Sequence, residues 1–167
     1  MVELRFALVF LLIFCALQYC YSASRGSVIE HAVIDNATVR PSAAIINLIT
    51  PDTNAVASGN RIVSARGSLS ILNGCEGTET MFLLIASIIA FSAPWIEKLK
   101  GALMGILLVY VLNQGRIVAL FFAARQNRYW FDLLHGYVAP TLIIVLGSLF
   151  FLWWAGSARS HEPIRAA

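Results

Sequence analysis

Four long runs almost free of charge, at residues 6–21, 81–96, 101–124 and 136–156, constrain this chain more than any other feature. A bilayer core is about 30 Å thick and an α-helix rises about 1.5 Å per residue, so a span takes roughly 20 mostly apolar residues. The runs predict four transmembrane helices at about 4–22, 78–96, 101–124 and 136–156, the second completed by its polar first turn, Gly77 to Thr80. The chain is 59% hydrophobic and 13% charged, where a soluble domain has roughly 45–50% and 25%. That excludes an ordinary water-exposed surface. The expected fold is an all-α polytopic membrane protein, a single membrane-embedded domain over residues 1–167 in contact with the lipid bilayer. Trp95, Trp130 and the Trp153–Trp154 pair fall at span edges, where amphipathic rings anchor in the headgroup layer. The net charge of +3 comes with no Lys/Arg cluster beyond this membrane pattern, so no nucleic acid partner is expected.

The first run also has features of a cleaved signal peptide, with Arg5 before it and Ser22–Ala23 after it, but a cut after Ala23 puts bulky Tyr21 at a position that wants a small residue. It is read as a retained span. Short loops guide orientation better than long ones, and the short loop after the second run carries Lys98 and Lys100. Both termini are therefore expected in the cytoplasm, with the long loop at about 24–74 on the outer side. Within that loop, Val28, Ile29, Ala32 and Val33 recur at helical spacing, as do Ala44, Ile45, Leu48 and Ile49 after Pro41. Two short surface helices are predicted, followed by a small β-hairpin at 61–65 and 68–72 with Arg66-Gly67 between its strands. Asn36-Ala37-Thr38 matches a glycosylation sequon too short to carry weight.

Three residues stand out against this background. Arg116 interrupts an apolar helix, where a charge costs from about 2.5 kcal/mol upward, so it faces the bundle, water or a partner, or snorkels to the headgroups. Asn113, one turn earlier on the same face, is available to orient it. Cys75 stands in Asn73-Gly74-Cys75-Glu76-Gly77, before the second span. Gly74 and Gly77 permit a tight turn and close backbone approach, and a helix start favours a thiolate, whereas Glu76 and Glu79 oppose one. An inert structural cysteine is the alternative, and Cys15 and Cys20 lie on different faces of the first span. His135 opens the fourth span, where many histidines simply bond to water or headgroups; His31 and His161 have no comparable setting.

The predicted topology brings Cys75, Arg116 and His135 to one membrane face. A thiol, an imidazole and a guanidinium at one depth are the parts of a cysteine acyl-transfer site. They form no recognisable metal-ligand set, so no metal or cofactor is expected. Gly101 and Gly105 have the small-xxx-small spacing of close helix packing. Two other classes compete with the enzyme. One is a non-enzymatic small membrane interaction protein with a structural Cys75 and a snorkelling Arg116; the other is a small transporter subunit, which needs a polar path that residues 136–156 barely provide.

Asn73-Gly74-Cys75-Glu76-Gly77, Asn113-Gln114-Gly115-Arg116-Ile117 and His135-Gly136-Tyr137, in this order on these spans, resemble the exosortase/archaeosortase family of membrane-embedded cysteine transpeptidase-like enzymes, closest to its short form, exosortase H. The family more often has a small or amide residue where Glu76 stands. The resemblance implies a bacterial inner-membrane sorting enzyme with its site facing the periplasm. Its substrates are exported proteins ending in a recognition motif, a transmembrane helix and a basic tail. The tail is removed through an acyl thioester, which passes to water or to an amine or lipid acceptor. The family's nucleophile, arginine and histidine fall on Cys75, Arg116 and His135, with Asn113, Gly74 and Gly77 in supporting or substrate-binding positions. Physically, His135 is the nearby group able to exchange a proton near neutral pH, and the permanently charged Arg116 suits stabilisation of a thiolate or oxyanion.

Overall fold

A computed structural model describes residues 2–65 and 67–160. Arg66 and His161, which figured in the sequence reading, lie outside the described residues. Among the described residues, three helical segments are long and apolar enough to cross a membrane: Glu3–Ala23, Trp95–Gln126 and Arg128–Ala158. The first, helix α1 (Val2–Ala23), is apolar on every side and exposes Leu4, Leu8 and Leu12, as a helix facing lipid does. Its C-terminal end meets the shorter apolar helix Thr78–Ala90 through Tyr21, edge-on to Phe82 at 5.8 Å.

The loop that follows α1 is more ordered than its periodicity suggests. The two expected short helices are one continuous helical run: α2 (Val28–His31), a π-helical stretch (Ala32–Val39) and α3 (Arg40–Ile49). Ser27 caps the start by accepting from the Ile29 N–H, and Glu30 reaches back to the Gly26 N–H, a variant of the capping box. Pro41 does not break the run, which passes from the π-helical stretch into α3 at this point. Residue 41 has no N–H to give to the Ala37 carbonyl four residues back, and that carbonyl instead accepts from Gln114 Nε2 at 3.1 Å. The sequon threonine, Thr38, is buried, and its hydroxyl donates to the Val33 carbonyl. After a 3-10 turn (Pro51–Thr53) come β1 (Val56–Ser58), β2 (Arg61–Ser64) and β3 (Gly67–Ser70), an antiparallel sheet in the order β1-β2-β3. The expected hairpin is β2–β3. Strand β1, only three residues long, had too little alternation to be seen. In register, Ile62 faces Leu69 on the inner side, and both pack with Val39, Ile46, Ile117 and Phe121.

Helix α4 (Thr78–Ala90) corrects the expected second span. It has 13 residues and stops at Ala90, because Phe91 is extended and the chain runs on to Pro94, where the next helix opens. The Lys98 ammonium caps it by donating to the Ile89 carbonyl at 2.7 Å. Trp95 and Ile96 belong instead to α5 (Trp95–Gln126), whose 32 residues make it about 48 Å long, well beyond a hydrocarbon core. Then α6 (Arg128–Leu133), a π turn (Leu134–Val138) and α7 (Ala139–Ser160) return antiparallel to α5. Trp154 is a second correction. It is buried rather than interfacial, and its indole N–H donates to the Glu97 carbonyl at 3.1 Å. A Cβ on Gly101 would sit 2.3 Å from Trp154 Nε1, and one on Gly105 2.7 Å from Leu84. The two glycines therefore provide the close packing expected of their spacing.

Helix α5 threads two separate apolar cores. In its first half, Val109 packs with Leu84, Ile88, Ile143 and Trp154 of α4 and α7. Near its end, Ile117, Val118, Leu120 and Phe121 pack under the helical run and the sheet of the loop. Asn113, Gln114 and Arg116 form the polar layer between them.

Candidate active site

Cys75 sits on a tight turn after the sheet, closed by its own N–H donating to the Leu72 carbonyl at 2.9 Å. Gly74 and Gly77 flank it with φ of +92° and +85°, conformations that strain any residue with a Cβ. Gly77 is constrained twice, since a Cβ there would lie 2.9 Å from Asn113 Cγ. This closeness lets Asn113 Nδ2 donate to the Cys75 carbonyl at 3.1 Å, tying the cysteine turn to α5. Asn113 was expected to orient Arg116; its hydrogen bond goes to Cys75 instead. The thiol is half-buried against the apolar cluster under the loop.

One turn beyond Asn113, Arg116 is half-buried, and its Nε is buried without a hydrogen-bond partner. Among the described residues it pairs with no carboxylate. It lies 21 residues, about 31 Å, along α5 from Trp95. His135 occupies the π turn between α6 and α7, a distortion that changes which way a side chain leaves the helix. Its ring stacks on Phe131 at 5.4 Å, and its Nδ1 is buried and unpaired. Phe131 and Leu134 pack on the same cluster as Cys75. No hydrogen bond joins Cys75 to His135 among the described residues.

Sequence reasoning missed Gln114 as a separate element of the site. It is buried, accepts from the Ser42 hydroxyl at 2.6 Å and donates to Ala37 O, so it clamps the loop onto α5 beside Asn113 and Arg116. The available signal was Pro41, whose missing N–H leaves a carbonyl free four residues earlier. Glu76 is buried as well. Its Oε1 accepts from the Thr78 hydroxyl at 3.0 Å, while Oε2 has no partner and the Tyr21 hydroxyl faces it without closing a hydrogen bond of normal geometry. Among the described residues, no group of three or more His, Cys, Asp or Glu is placed to hold a metal ion. His31 pairs with Asp35 at 3.0 Å, away from this layer.

A cysteine on a turn of left-handed glycines, with unpaired buried polar groups on two other elements, has the chemical types that acyl transfer uses. A search of curated proteins and one of solved structures returned no match. The family model for transmembrane exosortases matches residues 2–155, which takes in the membrane helices, the loop and all three motifs. The chain belongs to the transmembrane exosortase family, membrane-resident sorting proteins of the transpeptidase type that act on exported proteins.

Proposed function

We propose that this chain is a cysteine peptidase or transpeptidase that removes C-terminal sorting tails, each a short motif, a transmembrane helix and a basic cluster, through an acyl thioester on Cys75. The Cys75 thiolate attacks the carbonyl carbon of the scissile peptide bond, and His135 exchanges the proton between thiol and leaving amine. Arg116 stabilises the thiolate or the oxyanion, where a fixed cation in a low-dielectric setting is worth several kcal/mol. Asn113, Gly74 and Gly77 hold the nucleophile's turn. The chain works as one membrane-embedded domain of four spans, with α4 as a short one. Both termini lie in the cytoplasm of a bacterial inner membrane, and the site faces the periplasm.

The observation that carries this reading is the polar layer between the two apolar cores. Asn113 Oδ1 and, one turn along α5, Arg116 Nε are buried without partners, Asn113 also holding the Cys75 carbonyl, and His135 Nδ1 is buried and unpaired in the π turn before α7. Buried polar atoms left unpaired are rare in native structures, and a cluster of them suits a site completed by its substrate. The test is co-expression with a tail-bearing substrate, following substrate size on a gel. Cys75→Ala, Arg116→Ala and His135→Ala are each expected to leave the substrate uncleaved while the protein still accumulates in the membrane. Normal cleavage by Cys75→Ala overturns the mechanism.

A further inference from the structure

The small sheet has two edges, and the fold treats them differently. The Ile71 N–H donates to the Asn60 carbonyl at 2.8 Å, and these two residues stand opposite one another in the register that pairs Arg61 with Ser70. Hydrogen-bonded and non-bonded pairs alternate in an antiparallel ladder, so Gly67 and Leu69 turn their main-chain groups to β2, while Ser68 and Ser70 turn theirs to the far side of β3. By the same alternation Ala55, just before β1, and Ala57 face away from β2 at the other edge. There Asn47 of α3 closes the chain: its Nδ2 donates to the Ala55 carbonyl at 2.8 Å, and its Oδ1 accepts from the Ala55 N–H at 2.7 Å.

Nothing comparable covers β3. Among the described residues no hydrogen bond reaches the outward main-chain groups of Ser68 or Ser70, and Arg61 Nε donates only to the Ser70 hydroxyl. A cavity of about 40 Å³, large enough for water, lies between Gly67, Ser68 and Leu69 on one side and Phe121, Ala124 and Arg125 on the other, so the end of α5 does not seal the start of the strand. Edge strands are usually blunted by charge or proline, and Gly67-Ser68-Leu69-Ser70 has neither. The strand then continues through Ile71 and the exposed Leu72 directly into the Asn73-Gly74-Cys75 turn. The bare edge and the candidate nucleophile thus belong to one unbroken stretch of chain.

We infer that the free edge of β3 is where the substrate docks, and that the residues before the scissile bond bind there as an added strand parallel to β3. This rests on Cys75 being the nucleophile. Because β3 runs toward Cys75, a chain whose scissile carbonyl lies at the thiol extends back beside β3 in the same direction, while the residues after the bond pass into the membrane helix. Main-chain hydrogen bonds to Ser68 and Ser70 supply affinity for any extended peptide, and successive peptide side chains point to opposite faces of the sheet. A second copy of the chain is a poorer occupant. Two outward residues on a four-residue strand fall far short of the roughly 800 Å² per partner that a stable interface buries, whereas a substrate is already held in the same bilayer by its own helix.

The test uses the full chain carrying Cys75→Ala, which consumes no substrate, in phosphatidylcholine nanodiscs. The probe is a synthetic peptide comprising the transmembrane helix of a tail-bearing protein and the residues before it. Its addition is expected to slow amide exchange at Ser68 and Ser70 about tenfold and to leave Leu69, already bonded to β2, unchanged. N-methylation of successive peptide residues is expected to weaken binding about three- to tenfold at every second position, as loss of one hydrogen bond does. Ser70→Pro removes an outward N–H without touching the β2 ladder and is expected to weaken binding about tenfold; if that variant does not fold, the methylation series decides. Unchanged exchange at both serines, or weakening without alternation, overturns the docking site. Protection of both serines without peptide, rising with protein concentration, identifies a second copy on the edge and overturns it as well. Cleavage of the full-length substrate by the wild-type chain is followed in parallel. Cys75-dependent cleavage without the exchange pattern overturns the docking site alone, whereas the pattern without Cys75-dependent cleavage upholds a peptide-binding edge and overturns the thioester reading.

Discussion

The two ends of the helical bundle treat buried polarity in opposite ways. Where α4 gives way to α5 and α7 finishes, polar groups close on backbone: Trp154 donates to Glu97, Lys98 to Ile89, and Gly101 and Gly105 let the helices meet. At the other end lie all five buried side-chain polar atoms that lack a hydrogen-bond partner among the described residues, on Tyr21, Glu76, Asn113, Arg116 and His135. One end is built to pack, and the other keeps unpaired groups that packing alone would have eliminated.

Substitutions separate the two ends. The largest effect is expected for Gly101→Leu, which drives a side chain into the Trp154 ring and breaks its bond to Glu97. It should destabilise the chain by about 3 kcal/mol or more, seen as a lower unfolding temperature in detergent. An unchanged unfolding temperature would break the contrast. Next comes Asn113→Ala, which releases the Cys75 carbonyl. Tail cleavage should fall roughly 10- to 100-fold, with much less loss of thermal stability than Gly101→Leu causes. Gln114→Leu should cost about 1–3 kcal/mol locally by orphaning Ser42 and the Ala37 carbonyl. Faster amide exchange confined to residues 34–43, with protection of α4 and α7 retained, is the expected signature.

The smallest effect is at Glu30. Its carboxyl titrates below the usual range because the ionised form accepts from Gly26, with Asn73 and nearby positive charges assisting. The stabilisation is therefore full above the ordinary carboxylate pKa and fades as pH falls through the lowered folded value. Intrinsic-rate-corrected exchange protection at the start of the loop helix should decrease on acidification in the wild type, and Glu30→Gln should remove that dependence.

Much of the bundle was legible because apolar length is a one-dimensional property. The positions of α1, α5 and α7, the spacing of Gly101 and Gly105, and the β2–β3 hairpin all follow from runs and periods. The continuity from Val28 to Ile49 was not, since Pro41 ordinarily signals a break, and the Ala37 carbonyl left free before it is taken up by Gln114 from a distant helix. Nor was the early end of α4, where apolar residues continue but the approach to Pro94 turns the backbone extended. Within the candidate site, Cys75, Arg116 and His135 were conspicuous by chemical type. The partner of Asn113 was not, because a side chain on a helix face reaches whatever the fold brings opposite it, and here that is the Cys75 turn rather than Arg116.

The sequence by itself determined that this chain belongs in a membrane, in what order its elements come, and which scarce polar residues are out of place. Those properties depend on composition and spacing along the chain. Only the tertiary structure decided that α5 outruns the bilayer thickness and serves two cores, leaving Asn113, Gln114 and Arg116 as a layer between them. It also decided that Trp154 is interior and that Glu76 and Tyr21 share a cavity beside the cysteine turn. The physical reason is that burial and hydrogen-bond satisfaction depend on residues dozens of positions away, and no local pattern encodes which of them arrive.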